Sequence, residues 1–322
     1  MTGARTSAKQ KPSLHLWLPA LAHFEPSHPL RQLLARADQL SVGTAGYLAG
    51  LGDYFHGVDA NLPAAALTRE YIAGDATGAT WLSADPAWVQ PDMNGVRLLA
   101  CGQLQLEMAE ATALAEPLRP VFDEAGLQLE ISTPDRWHLR LPLHSPLPIF
   151  AAPEQALGED MSQHLPQGAD GRRWRILLNE IQVLLHQHPL NAARRAHGLA
   201  PINSLWLWGG GNLPEHLQSD LHGVVSDDLL LSALAKRVGV ADQARTVDAV
   251  TAAAAGWLID LQDLPASDIE SRWWPVLKAL FDRQSVVLHF ASGERWQRKP
   301  WHRWRIWRGA GPRGVGPRGV GR

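Results

Sequence analysis

The residues with the most chemical potential in this chain fall between 186 and 228. Asn191 and Arg194 sit at i and i+3 on a short helix that follows His188-Pro189 and is stopped by Gly198. An amide and a guanidinium on one helix face can hold an anion, and the planar fork of arginine suits phosphate or carboxylate. Gly209, Gly210 and Gly211 follow an apolar strand, Ser204–Trp208, where glycine lets backbone approach a ligand; a tight strand-to-loop turn uses the same residues. These five positions form the candidate ligand site, with Arg194 expected to be exposed beside Arg195 and His197. Asn203 is expected to be structural, bonding nearby backbone in the turn before the strand.

Other reactive residue types have simpler readings. His186 and His188 are two residues apart, so on a helix they point about 200° from each other and do not converge on a metal. His188 extends an apolar stripe and reads as a core or interface histidine. Ser226-Asp227-Asp228 reads as the cap of the following helix, with a carboxylate metal site as the alternative. The chain has no Gly-Lys dipeptide, no G-x-S-x-G and no H-E-x-x-H, so a P-loop, a nucleophile elbow and a zincin site are excluded. One cysteine, Cys101, excludes an internal disulfide and a thiolate metal cluster.

Composition narrows the classes further. The 322 residues are 45% hydrophobic and 19% charged, enough apolar content for a sizeable core, and no run approaches the length of a membrane span. The expected location is the cytoplasm. The net charge of −2 is uneven: residues 294–322 hold nine Lys/Arg against Glu294 alone, which leaves −10 on the rest. A mildly acidic body is not expected to bind membranes or nucleic acid. Any nucleic-acid role falls on Trp296–Arg308, where aromatic and basic residues interleave. The favoured reading there is a terminal strand whose Trp304 and Ile306 share an inward face while arginine stems cover the edge.

The elements that must position these residues follow from periodicity. Leu14–Leu18 reads as a buried strand, and Pro29 opens a helix. Residues 62–72 read as helix, 81–83 and 96–99 as strands, and 107–125 as a helix split by Pro117 and Pro120. Alternation at Leu127, Leu129, Ile131 and again at Trp137, Leu139, Leu141 marks a hairpin. The strongest helix is Arg172–His188, with Trp174, Leu177, Leu178, Ile181, Leu184 and Leu185 on one face. Ser204–Trp208 is apolar on both faces, as in a central parallel strand. Helices at 227–238, 242–253 and 267–282 alternate with strands at 257–261 and 285–290, which predicts an α/β sheet, mixed or mostly parallel, flanked by helices. The expected organisation is a disordered 1–13, an N-terminal α+β half with hairpins at 14–141, and a Pro-rich connection at 142–171. A C-terminal α/β half at 172–308 and a disordered Gly/Pro/Arg tail at 309–322 complete it.

The segment His188-Pro-Leu-Asn191-Ala-Ala-Arg194-Arg-Ala-His-Gly198-Leu-Ala-Pro201-Ile-Asn203-Ser-Leu-Trp206-Leu-Trp208-Gly209-Gly-Gly211 resembles a signature of archaeal-type cofactor-independent phosphoglycerate mutases, of the alkaline-phosphatase superfamily. Val224-Val-Ser226 with the helix to Gly239 resembles the segment that follows. Over Leu14–Arg308 the chain looks most like a bacterial branch of that kin, the RpfE-type regulatory proteins, on Ala84-Asp85-Pro86, Arg136-Trp137 and Trp304-Arg305-Ile306-Trp307-Arg308. The resemblance implies a degenerate phosphoglycerate-mutase-like fold. Such mutases hold two metal ions through Asp and His and attack phosphate through Ser or Thr. Here none of the 19 Asp residues precedes a His, Val286-Val-Leu-His289-Phe stands where the Asp-His pair should lie, and Leu16-Trp-Leu-Pro19 carries no early metal-binding Asp.

The expected role is therefore regulatory or ligand-sensing, without metal-dependent phosphoryl transfer and with no cofactor. The expected ligand is a phosphorylated or carboxylated small metabolite, with a protein partner as a further possibility. The competing reading is a 2,3-bisphosphoglycerate-independent phosphoglycerate mutase or related phosphomutase, which would need Mn or Zn. The third is a nucleic-acid-binding regulator using the basic aromatic C-terminus.

Overall fold

A computed structural model describes residues 13–57, 61–93 and 95–305. The expectations for residues 1–12 and 309–322 lie outside them, as do Ile306 and Trp307. The described residues divide into two compact units. The first takes residues up to Tyr54, Ser219–Ala235 and Gly239 onward; the second takes Phe55–Gln218 with Lys236–Val238. Phe55–Gln218 is thus one continuous insertion between the first and second segments of the other unit. The Pro-rich stretch 142–171 lies inside it, and the division falls at 54/55 and 218/219.

The first unit is built on a seven-stranded sheet. Its strands are β1 (Leu14–Leu18), β2 (Asp38–Gln39), β10 (Gly223–Val225), β11 (Ala241–Gln243), β12 (Trp257–Asp260), β13 (Val286–Phe290) and β14 (Arg295–Arg298), in the order β11-β10-β12-β1-β13-β14-β2. The first five in that order are parallel and the last two antiparallel. Helices Leu229–Val238, Val247–Ala252 and Trp274–Arg283 make the crossovers that parallel neighbours require. Period two sends Leu14, Leu16 and Leu18 into a core with Ile259, Leu288, Leu277 and Phe281, and sends His15 and Trp17 to the opposite face. β12 and β13 are in register beside them, Trp17 opposite both Asp260 and His289.

Two expectations fail here for local reasons. The predicted helix 242–253 is a strand followed by a shorter helix, because Thr246 caps at Val247 by accepting from the Ala249 amide at 3.1 Å. The terminal basic segment is not one long strand. β14 ends at Arg298, and Pro300 opens a 3-10 turn, Pro300–Trp304. Trp296 is buried, but Trp304 is 67% exposed, so the inward packing expected of Trp304 is corrected.

The second unit holds an antiparallel sheet. β4 (Ala79–Asp92) pairs with β5 (Gly95–Cys101), β7 (Arg136–Pro142) and β8 (Ser204–Asn212), and β6 (Gln128–Thr133) pairs with β7. Two-residue strands β3 (Phe55–His56) and β9 (Gln218–Ser219) mark the crossings. Prolines split the 108–124 helix as expected, and Gly168–His186 buries Trp174, Leu177, Leu178, Ile181 and Leu185 against the sheet. β8 is antiparallel to β4, not a central parallel strand. Its two apolar faces arise because helix Gly168–His186 covers one side and helix Ala64–Ala73 the other. The whole is a mixed α/β protein whose largest sheet is mostly parallel and flanked by helices.

Candidate functional site

The polar face of the first unit's sheet gathers what the alternation of its strands leaves there. His15, Asp260 and His289 come from β1, β12 and β13, each in an otherwise apolar strand, and Ser226 follows β10. Asp260, His289 and Ser226 lie toward the carboxyl ends of parallel strands, where open α/β sheets place their ligands.

The two imidazoles face each other, with His15 Nδ1 3.2 Å from His289 Nε2. Tyr54 packs its ring 5.6 Å and 5.3 Å from them, and Trp17 stacks on Tyr47 at 5.5 Å. Burial holds His289 down to about 3, reinforced by His15 and Arg295, and burial with Arg295 also lowers His15. At neutral pH both rings are uncharged, and one can donate to the other. Burial pushes the Tyr54 phenol well above its usual range. Beside His289 and Tyr54 lies a cavity of about 10 Å³, lined also by Trp17, Gly50, Asp53 and Arg295. That is room for about one water molecule, not for a phosphorylated metabolite.

Asp260 is fully buried. Its Oδ2 accepts from Ser226 Oγ at 2.8 Å and its Oδ1 from the Gln262 amide at 3.2 Å. Burial, with Asp228 adding, nevertheless pushes its carboxyl up to about 7. Ser226 Oγ also accepts from the Asp228 amide at 2.9 Å, and Asp228 Oδ1 accepts from the Leu231 amide at 2.8 Å and from the Tyr47 hydroxyl. The capping role expected of Ser226-Asp227-Asp228 is what the hydrogen bonds describe. Arg245 ties the edge, pairing with Asp227 and Asp263 and donating to the Asp260 carbonyl. Ser226 thus has its proton committed to Asp260 and an oxygen lone pair to a backbone amide, the hydrogen bonds of a buried helix cap. Among the described residues, no three or more His, Cys, Asp or Glu side chains form a group that could hold a metal ion.

The five residues singled out from sequence lie in the second unit, and their roles are corrected. Asn191 is fully buried: Nδ2 donates to the Leu185 and Ile202 carbonyls and Oδ1 accepts from the Ile202 amide, all at 2.7 Å. Arg194 is 1% exposed, not on the surface. It donates to the Ala200 carbonyl at 2.9 Å and the Leu104 carbonyl at 2.6 Å, and pairs with Glu110 at 3.2 Å. Both side chains satisfy backbone groups of the chain itself, so neither is free to hold a metabolite. Gly209 and Gly211 do admit a close approach, but what approaches is helix Ala64–Ala73. A Cβ at Gly209 would lie 2.8 Å from Ala64 Cβ, and one at Gly211 2.8 Å from Pro63 Cβ; at Gly210 it would meet Leu147 at 2.5 Å. Asn203 is structural as expected, bridging both the amide and the carbonyl of Val89 on β4. His188 is half-buried and caps locally, its Nδ1 accepting from the Leu190 amide. The sequence signal for the polar face was present but unread: a single polar residue within each of Leu-His-Leu-Trp-Leu, Trp-Leu-Ile-Asp and Val-Val-Leu-His-Phe.

No family model matches the chain. It is 32% identical over 101 residues to a 2,3-bisphosphoglycerate-independent phosphoglycerate mutase of Methanothrix thermoacetophila, covering 31% of this chain and 26% of that protein. It is 38% identical over 63 residues to the enzyme of the same description from Methanosarcina mazei, covering 20% and 16%. The matched segments thus span about a quarter or less of these relatives' own length. A cofactor-independent phosphoglycerate mutase from Thermoplasma acidophilum superposes with a TM-score of 0.41 at 14% identity, over 89% of both chains. The chain is homologous to archaeal-type cofactor-independent phosphoglycerate mutases at low identity and over part of its length.

Proposed function

We propose that this chain is a phosphoglycerate-mutase-like protein with a regulatory role exerted by binding, without metal-dependent phosphoryl transfer. The observation that carries the proposal is the pairing of His15 with His289 beneath Tyr54, beside a cavity of about 10 Å³ that His289 and Tyr54 line. The mutase resemblance calls for two divalent ions, Mn or Zn, at the carboxyl ends of these strands. The residues present do not fit such a pair. Each imidazole commits one ring nitrogen to the other, the buried carboxylate Asp260 is bonded by Ser226, and Trp17 with its Tyr47 stack takes up neighbouring space. Two ions would need ligands in number, and among the described residues no three His, Cys, Asp or Glu side chains gather into a group that could hold even one.

A phosphorylated or carboxylated metabolite as ligand has no seat at Asn191, Arg194 or Gly209–Gly211, since those groups are consumed by packing. Binding to a macromolecular partner is then the simpler mode of regulation. The test uses the purified full chain. Metal content is measured after dialysis, melting temperature with and without a chelator, and conversion of 3-phosphoglycerate with added Mn²⁺. The expected outcome is no stoichiometric Mn or Zn, no shift on chelation, and no conversion above buffer. Two tightly held ions per chain with turnover would replace this proposal by the mutase.

A further inference from the structure

The 3-10 turn Pro300–Trp304 presents two tryptophans to solvent, Trp301 at 53% and Trp304 at 67% exposure. A large exposed indole forfeits the burial that tryptophan normally gains, and two of them three residues apart form an unpartnered aromatic surface. Each carries a guanidinium. Arg305 lies 4.4 Å from the centroid of Trp301 and Arg303 5.1 Å from that of Trp304. Arg305 is anchored on Asp38, and Trp301 packs edge-on against the buried His302, so the first indole is held and not adrift.

The cations around this turn outnumber their acids. Asp38 is taken by Arg305, and burial holds His302 beside it down to about 4, so that ring is uncharged. Arg298 is 6% exposed, and its buried Nε finds no hydrogen-bond partner. Burial lowers its pKa, Asp282 offsets part of that, and the positive charges of Arg36, Arg305 and Arg303 depress it further. The field of this corner is therefore that of crowded guanidiniums, in a chain whose first 293 residues carry −10.

We propose that the Trp301–Trp304 turn is a binding surface for single-stranded nucleic acid. Trp301 and Trp304 stack on unpaired bases, and Lys299 and Arg303 neutralise the adjoining phosphates. Every base has a flat face, so stacking on indole is sequence-tolerant, and guanidinium planes stack in the same way. A duplex hides those faces and offers only phosphates, which the acidic remainder of the chain repels. An anionic membrane suits tryptophan and arginine too, but lipid insertion draws on an amphipathic apolar face. Here the exposed apolar side chains between Arg295 and Arg305 are the two indoles alone. This reading does not depend on the proposal about phosphoryl transfer, since it concerns different residues.

The test measures fluorescence anisotropy of labelled single-stranded dT20 with the full chain at low salt. The same 20-mer as a duplex and phosphatidylserine vesicles serve as competitors. Neutralising about two phosphates gives an expected slope of log K on log salt of about −1.4. Trp301→Ala with Trp304→Ala should weaken dT20 binding at least tenfold, with the melting temperature unchanged because both rings are exposed. Arg303→Glu, at an exposed position, should weaken it as well and stands in should the double variant fail to fold. The proposal is overturned by absence of dT20 binding, by the duplex binding as well as the single strand, by vesicles competing where dT20 does not, or by variants that bind like the parent.

Discussion

The buried polar residues set how this protein responds to pH. Asp260 titrates at about 7 in the fold against about 3.8 unfolded, so its protonated form is favoured in the native state. Its contribution is fully present below pH 3.8 and is lost as pH rises through 7. His289, and His138 in the second unit, run the other way: each is held at about 3 against 6.5. Their contribution is present above pH 6.5 and is lost on acidification. Between pH 4 and 6.5 the two effects oppose, but two histidines outweigh one carboxyl, so the parent's stability should still rise with pH there, less steeply than the histidines alone would give. Asp260→Asn cannot ionise and keeps one acceptor oxygen, which serves Ser226 or Gln262 but not both. At pH 8 it should exceed the parent by about 2 kcal/mol or more, and its stability should climb steadily from pH 4 to 6.5. Urea denaturation across pH checks this; coincident curves for variant and parent would mean that Asp260 ionises in the fold at no cost. The residue scale is also where sequence was least informative. An amide and a guanidinium at i and i+3 look the same whether they face a ligand or their own loop, and only the tertiary carbonyls of Leu104, Leu185 and Ile202 decide for Asn191 and Arg194.

Elements were more legible, because periodicity records which face is buried. The stripe Trp174–Leu185, the split helix at Pro117 and Pro120, and the hairpin β6–β7 follow directly from spacing. β8 did not, since an antiparallel strand covered on both sides is as apolar as a central parallel one. The segment before Trp274–Arg283 was read as plain helix but winds as a π-turn over Ile269–Trp273, just ahead of Pro275, which lacks the amide that regular bonding would use. The triple glycine separates two kinds of crowding. Gly209 has φ +63° and faces Ala64 Cβ on a fixed helix, whereas Gly210 has an ordinary φ and faces the tips of Leu147 and Leu82. Gly209→Ala should cost about 1–3 kcal/mol, and Gly210→Ala clearly less because leucine tips can rotate away. Equal denaturation midpoints for the two would refute packing against helix Ala64–Ala73 as the reason for glycine.

At the scale of the molecule, the second unit is nearly a single stretch of chain, lacking only Lys236–Val238 when cut at Phe55 and Gln218. It holds its own buried cluster from Leu82 to Leu207. Expressed alone, residues 55–218 should fold, giving dispersed amide resonances and cooperative melting; a collapsed or insoluble product would show that the insertion depends on its host. The first unit has the opposite construction. Its central strand Leu14–Leu18 is synthesised well before its two neighbours, Trp257–Asp260 and Val286–Phe290, because the whole insertion lies between them in the chain. At 5–20 residues per second, an apolar ribbon with both edges bare must wait roughly 13 to 54 s for its second neighbour, while the insertion between can already fold. For that interval the nascent chain is a folded bead trailing a sticky thread, and sequestering Leu14–Leu18 until Val286–Phe290 is made becomes a task for the cell's holdase chaperones.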